Sequence, residues 1–203
     1  MSTNWDETYR QKKVADRSWT EAIPQPSLRL IDLAGVSVDD AVLDVGGGAA
    51  RLVDELHRRR FHDLTVLDVS QLALAEARAR LGDSVSWIHA DLMQWRPTRR
   101  YRLWHDRAVF HFLVDPDDQR RYVECCEAAI EPGGALAIGA FSPHGPETCS
   151  GLSVRRWSAP ELNEHFARGF APVTNFEHHH VTPWGSVQPF TWVLLQRRDA
   201  EGH

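Results

Sequence analysis

The sequence predicts an α/β fold built on a mostly parallel, doubly wound sheet with helices on both faces. Apolar, β-forming runs alternate with helix-patterned segments along most of the 203 residues, the order that places helices on the two faces of a parallel sheet. One of these runs, Ala41–Leu52 (AVLDVGGGAARL), passes through an aspartate and three glycines directly into a helix-like pattern. Each of the first three strand-like runs also ends at or near an aspartate (Asp44, Asp68 and Asp91), at the edge where open α/β sheets bind ligands.

The elements follow in order. Beyond a polar arm over residues 1–26, Ser27–Ala34 reads as a helix with Leu28, Leu30 and Ile31 apolar and Gly35 as its stop. Val42, Leu43 and Val45 suit a buried parallel strand. The segment Ala49–Arg60 then places Leu52, Val53 and Leu56 on one helical face. A second strand covers Leu64–Val69, a helix Gln71–Leu81 ends at Gly82, and a third strand covers Val85–Ala90. After the fourth strand region, YRLWHDRAVFHFL, the tetrad Asp115-Pro116-Asp117-Asp118 starts a helix running to about Ile130. It has an acid at the N-cap, proline at the first position and acids in the first turn. Strand Ala135–Phe141 and helix Ala159–Phe166 precede a terminal strand pair, Val173–Val181 and Phe190–Gln196, joined by the turn-forming TPWGSVQP.

Composition fits one soluble domain over residues 1–203. The chain is 42% hydrophobic and 25% charged, enough to bury a substantial core. A net charge of −5 argues against a broad nucleic-acid surface. No apolar run of about 18 residues offers a membrane span, and the polar start lacks the apolar core of a secretory signal; the expected compartment is the cytoplasm. Three cysteines, two of them adjacent at Cys125 and Cys126, read as reduced thiols rather than a disulfide framework. In the His178-His179-His180 run only two side chains could share a strand face, so solvent-facing histidines and no metal are expected.

The glycine loop points to a nucleotide-like ligand. Gly46, Gly47 and Gly48 permit positive φ and let a ligand touch the backbone, while the free N–H groups of the following helix face the turn. Asp68, at the end of the second strand, suits a pair of ribose hydroxyls. A nicotinamide dinucleotide enzyme also carries such an acid, but its GxGxxG fingerprint would need glycine where this chain has Arg51. The length also leaves no room for a separate catalytic domain.

The chain resembles the class I S-adenosylmethionine (SAM)-dependent methyltransferases over essentially its whole length. LDVGGGAARL is similar to their motif I, and LTVLDVS and IHADL are similar to their ribose-side and adenine-side acidic segments. YRLWHDRAVFHFL and IEPGGALAIGAF, with the family's PGG turn, complete the likeness. The resemblance implies a Rossmann-like, mostly parallel seven-stranded sheet with an antiparallel C-terminal strand, with SAM as methyl donor and S-adenosylhomocysteine (SAH) as product. It assigns Asp44, Gly46, Gly47 and Gly48 to the methionine portion, Asp68 with Val69 to the ribose, and Asp91 with Leu92 to the adenine. His105 and Asp106 would line the methyl-transfer face. The chain departs from the usual GxGxG pattern by placing Ala50 at its last position.

Direct displacement needs mainly alignment. Where the acceptor must lose a proton, Asp106, His105 and His111 are the candidate catalytic groups. The WDxxY and SW elements of the arm, with Tyr9 and Trp19 beside Trp5, resemble arms that cover cofactor and substrate. Residues 142–157, rich in Pro, Gly and Ser and carrying Cys149, form an expected active-site loop. HDRA in place of [DN]PP[YF] disfavours the adenine and glutamine N-methyltransferases. A small-molecule acceptor is therefore expected, with protein lysine methylation and a non-catalytic SAM-binding regulator as alternatives; the oligomeric state is open.

Overall fold

A computed structural model describes residues 5–13 and 16–199. Its centre is a seven-stranded sheet. The strands in chain order are β1 (Val42–Val45), β2 (Leu64–Asp68), β3 (Ser86–His89), β4 (Tyr101–Arg107) and β5 (Ile130–Phe141), then the two-residue β6 (Thr148–Cys149) and β7 (Leu152–Ser153), and finally β8 (Phe170–Val181) and β9 (Val187–Arg197). The sheet order is β3-β2-β1-β4-β5-β9-β8, with β6 and β7 forming a separate small hairpin. β1 to β5 run parallel; β9 is antiparallel to both β5 and β8. β8 therefore runs with the parallel strands, and β9, the C-terminal strand, alone is reversed, as the sequence suggested.

The helices are α1 (Trp5–Gln11), α2 (Gln25–Ala34), α3 (Leu52–Arg58), α4 (Gln71–Leu81), α5 (Pro116–Ala129) and α6 (Ala159–Phe166). Alternation along the buried strands sends successive side chains to opposite faces and so builds two cores. Val42, Leu64, Val66 and Leu103 pack with Leu28, Ile31, Leu56 and Leu74 of α2, α3 and α4. Leu43, Val45, Trp104 and Ile138 pack with Tyr122, Val123, Leu162 and Phe166 of α5 and α6.

Several boundaries differ from the sequence reading for identifiable reasons. α3 starts at Leu52 rather than Ala49, because Gly46 and Gly48 take positive φ and Ala50 N–H closes a turn onto the Gly47 carbonyl. β5 begins five residues earlier than expected; the EPGG turn is absorbed as an irregularity in its pairing with β4. β8 and β9 extend past Pro172 and Pro189, which halted the sequence assignment. Pro172 lies on the outermost strand, at a register shift, where a missing N–H costs no central ladder bond. Among the described residues no helix is long and apolar enough to cross a membrane.

Candidate active site

A cavity of about 790 Å³ opens where the carboxyl ends of β1, β2 and β4 meet their loops. Asp44, Gly46 and Gly47 line one wall, Asp68, Val69, Asp91 and Leu92 a second, and His105 and Arg107 the floor at the end of β4. Trp5, Tyr9 and Trp19 of the arm, with Cys149 and Leu152 of the β6–β7 hairpin, also face it.

The glycine loop is built by close approach. Gly46 has φ +64, and a Cβ there would stand 2.1 Å from Val109 Cγ2; at Gly47 it would stand 2.3 Å from the Asp44 carboxylate. Gly48 does not line the cavity. It lies against Asp68 and the Tyr9 hydroxyl, where a side chain would push both away. Ala50, the departure from GxGxG, is held from behind: Arg80 of α4 donates to its carbonyl and pairs with Asp54 of α3.

Asp68 is buried and accepts the Ser70 N–H at 2.7 Å. Burial pushes its carboxyl up to about 7; the nearby Asp44 charge adds to this and the Ser70 N–H opposes it. Asp91 accepts bonds from Met93 N–H and the Gln94 amide at the head of its loop. Cys149 is a buried thiol whose proton is held more tightly by that burial.

The candidate catalytic residues separate. β1 and β4 are in parallel register with Asp44 opposite His105 and Val45 opposite Asp106. His105 therefore shares a face with Asp44: its Nδ1 lies 2.7 Å from Asp44 Oδ1 and its Nε2 2.9 Å from Ser27 Oγ on α2. Asp106, the next residue in the strand, points to the opposite face and does not line the cavity. It accepts the Tyr122 hydroxyl at 2.6 Å and the N–H groups of Val109 and Phe110, and burial pushes its carboxyl up to about 6. His111 is also away from the cavity. It is fully buried between Phe112 and Phe141, its Nε2 has no partner, and burial lowers its pKa to about 3. Of the three candidate proton acceptors only His105 lines the cavity: strand alternation turns Asp106 to the opposite face, and aromatic packing encloses His111.

The arm is fastened from several sides. Asp6 accepts the Ser70 hydroxyl and the Leu72 N–H at the start of α4. Arg17 clamps Glu76 of α4 through two bonds and lies over the Tyr9 ring. Trp5 meets Trp19 and Phe112 edge to face. Glu21 reaches both Arg107 and His180, each at 3.2 Å. Burial raises the Glu21 carboxyl, but the His180 bond and the Arg107 charge outweigh this and leave it below its usual range. His180 is thus buried beneath the arm, not solvent-facing as expected; His179 is exposed, and His178 is partly so. Among the described residues no three His, Cys, Asp or Glu side chains are grouped as metal ligands.

Sequence reasoning assigned no site role to Arg17, Glu21, Ser27 or Arg107; it held Asp6 only as part of the WDxxY element and His180 as solvent-facing. Arg107 was accessible to it, since a residue two beyond His105 in a strand shares its face. Arg17, Glu21 and Ser27 carry no local signal.

Residues 42–134 match a family described as Methyltransferase domain. N-methyltransferase NodS from Bradyrhizobium japonicum, solved with SAH, superimposes over 96% of this chain and 99% of its own with a TM-score of 0.73 at 18% identity, a likeness of fold. Over residues 42–134 the chain carries a methyltransferase domain, and its fold is that of the class I SAM-dependent methyltransferases. The chain is 33% identical over 138 residues to trans-aconitate 2-methyltransferase of Yersinia pestis, covering 66% of this chain and 49% of that one. The 1,6-didemethyltoxoflavin-N1-methyltransferase of Burkholderia thailandensis shares its fold, with a TM-score of 0.70 and 20% identity over 95% of this chain and 82% of the other. The chain spans about half the length of the curated relatives it matches.

Proposed function

We propose that this chain transfers a methyl group from SAM to a small-molecule acceptor. The observation that carries the reading is one cavity joining the glycine loop, the acid at the end of β2 and the floor at the end of β4. Its size lies within the roughly 300–1,000 Å³ of ligand sites, and the loop is a cradle that Cβ atoms would fill. In this assignment Asp44 and Gly46–Gly48 hold the methionine end, Gly48 acting by letting Tyr9 and Asp68 approach. Asp68 with Val69 takes the ribose; Asp91 and Leu92 flank the adenine; Tyr9 and Trp19 cover the bound pair. SAM supplies the electrophilic methyl; the protein's residues align it with the acceptor and exclude water.

The trans-aconitate and didemethyltoxoflavin enzymes are named for small acceptors. The arm and the β6–β7 hairpin flanking this cavity favour the same over a protein lysine. Calorimetric titration with SAM and SAH, with a nicotinamide dinucleotide as control, tests the cofactor assignment. Asp68→Ala is expected to weaken SAM binding by roughly 1–3 kcal/mol, the scale of a lost charged hydrogen bond. An unchanged dissociation constant refutes the ribose role. With methyl-labelled SAM and cell extract, label should pass a size filter; label confined to a protein band would favour the lysine reading.

A further inference from the structure

We propose that Ser27, His105 and Asp44 form a proton-accepting relay, and that the acceptor is accordingly a protic nucleophile: a hydroxyl, a thiol or a ring N–H that loses its proton on methylation. The inference rests on the methyl-transfer reading and specifies its acceptor.

The three side chains come from α2, β4 and β1 and meet in one line. Ser27, His105 and Asp44 are 1%, 2% and 4% exposed, yet all three line the cavity. Asp44 Oδ1 lies 2.7 Å from His105 Nδ1, and Ser27 Oγ lies 2.9 Å from Nε2. An ionised carboxylate only accepts, so Nδ1 carries the ring proton and the neutral imidazole presents its lone pair at Nε2. The Ser27 hydroxyl then donates to Nε2 and keeps its oxygen lone pairs for another donor. The order matches the Ser-His-Asp arrangement, in which the acid fixes the tautomer and stabilises the imidazolium; here the hydroxyl passes a proton on instead of attacking.

The groups facing the ring suit that task. Asp44 adjoins it from β1, Asp106 lies behind it on β4, and Arg107 lines the cavity beside it. Trp192 of β9 stacks on the ring at 6.2 Å and holds its orientation. In the proposed step the bond from the acceptor atom to the methyl carbon forms as the sulfur–carbon bond breaks, its electron pair going to sulfur. The acceptor's proton moves to Ser27 Oγ, and the serine's own proton moves to His105 Nε2. The imidazolium beside Asp44 later releases it to water. A carboxylate acceptor arrives already ionised and has no use for the relay.

The test begins with the nitrogen NMR spectrum of the chain labelled with 15N-histidine and saturated with SAH, with His105 assigned through His105→Gln. A protonated Nδ1 and a pyridine-like Nε2 at pH 7 are expected, with the Nε2 signal moved by Ser27→Ala. A protonated Nε2 overturns the relay, because no site would remain to accept the proton. SAH formation from SAM is then compared between a pool of phenols, thiols and N–H heterocycles and a pool of carboxylates. Turnover is expected in the first pool, slowed by roughly 10²-fold in Ser27→Ala, partly restored by Ser27→Thr, with SAH affinity retained. Turnover confined to carboxylates, or a wild-type rate in Ser27→Ala, overturns the proposal. If neither pool turns over, the nitrogen spectrum decides. Loss of SAH binding by the folded wild-type chain would instead remove the methyl-transfer reading itself.

Discussion

His105 and Asp106 stand next to each other in the chain and on opposite sides of the sheet. A strand turns consecutive side chains to opposite faces, so an HD pair at a strand end cannot give both residues to one cavity while the strand persists. The partners of Asp106 make it a brace. It satisfies two backbone N–H groups at the turn after β4 and a tyrosine hydroxyl that itself accepts the Trp104 indole N–H. Asp106→Ala would orphan these buried donors at about 1–3 kcal/mol apiece. A loss of about 3 kcal/mol in unfolding free energy is therefore expected, with SAH affinity in the folded fraction unchanged. Denaturant unfolding and calorimetry would check this; unchanged stability with lost methyl transfer would return Asp106 to the reaction.

At the scale of elements, the N-terminal arm depends on the helix beneath it. α1 offers no buried residue of its own. Its position comes from Asp6 at the start of α4 and from Arg17, whose guanidinium is nearly buried against Glu76. Arg17→Ala is expected to loosen residues 5–22, speeding their cleavage in limited proteolysis and weakening SAH binding roughly tenfold, about 1.4 kcal/mol. Equal cleavage rates in variant and wild type would show that Trp5 and Trp19 suffice. The sequence identified the arm's aromatics as needing a surface to pack on, because a polar segment with unpaired tryptophans is a local signal. It did not identify the fastening, because Arg17 and Glu76 are separated by 59 residues and neither stands out among 23 Lys and Arg and 28 Asp and Glu.

For the whole molecule, the buried histidine between the sheet and the 142–157 loop sets an acid limit. His111 is neutral in the fold, with its pKa lowered to about 3 from 6.5. Between those values the unfolded chain binds the extra proton, so the contribution is fully present above pH 6.5 and is lost as pH falls. At pH 5 the penalty is roughly 2 kcal/mol at about 1.4 kcal/mol per unit. Asp68, with its pKa raised to about 7, shifts stability the other way, so the comparison must be wild type against His111→Phe across pH 5–8. The variant should lose less stability on acidification; parallel pH profiles would place the neutral His111 in doubt.

The strand–helix order, the glycine loop and the three acids near the ligand edge were determined by sequence alone, because apolar period, glycine conformation and cap chemistry act over a few residues. The tertiary structure decided which of these side chains meet. Ser27 reaches His105 across 78 positions and Asp44 reaches it across 61. Such pairings depend on the register of β1 with β4 and on the docking of α2, long-range packing that no local pattern encodes.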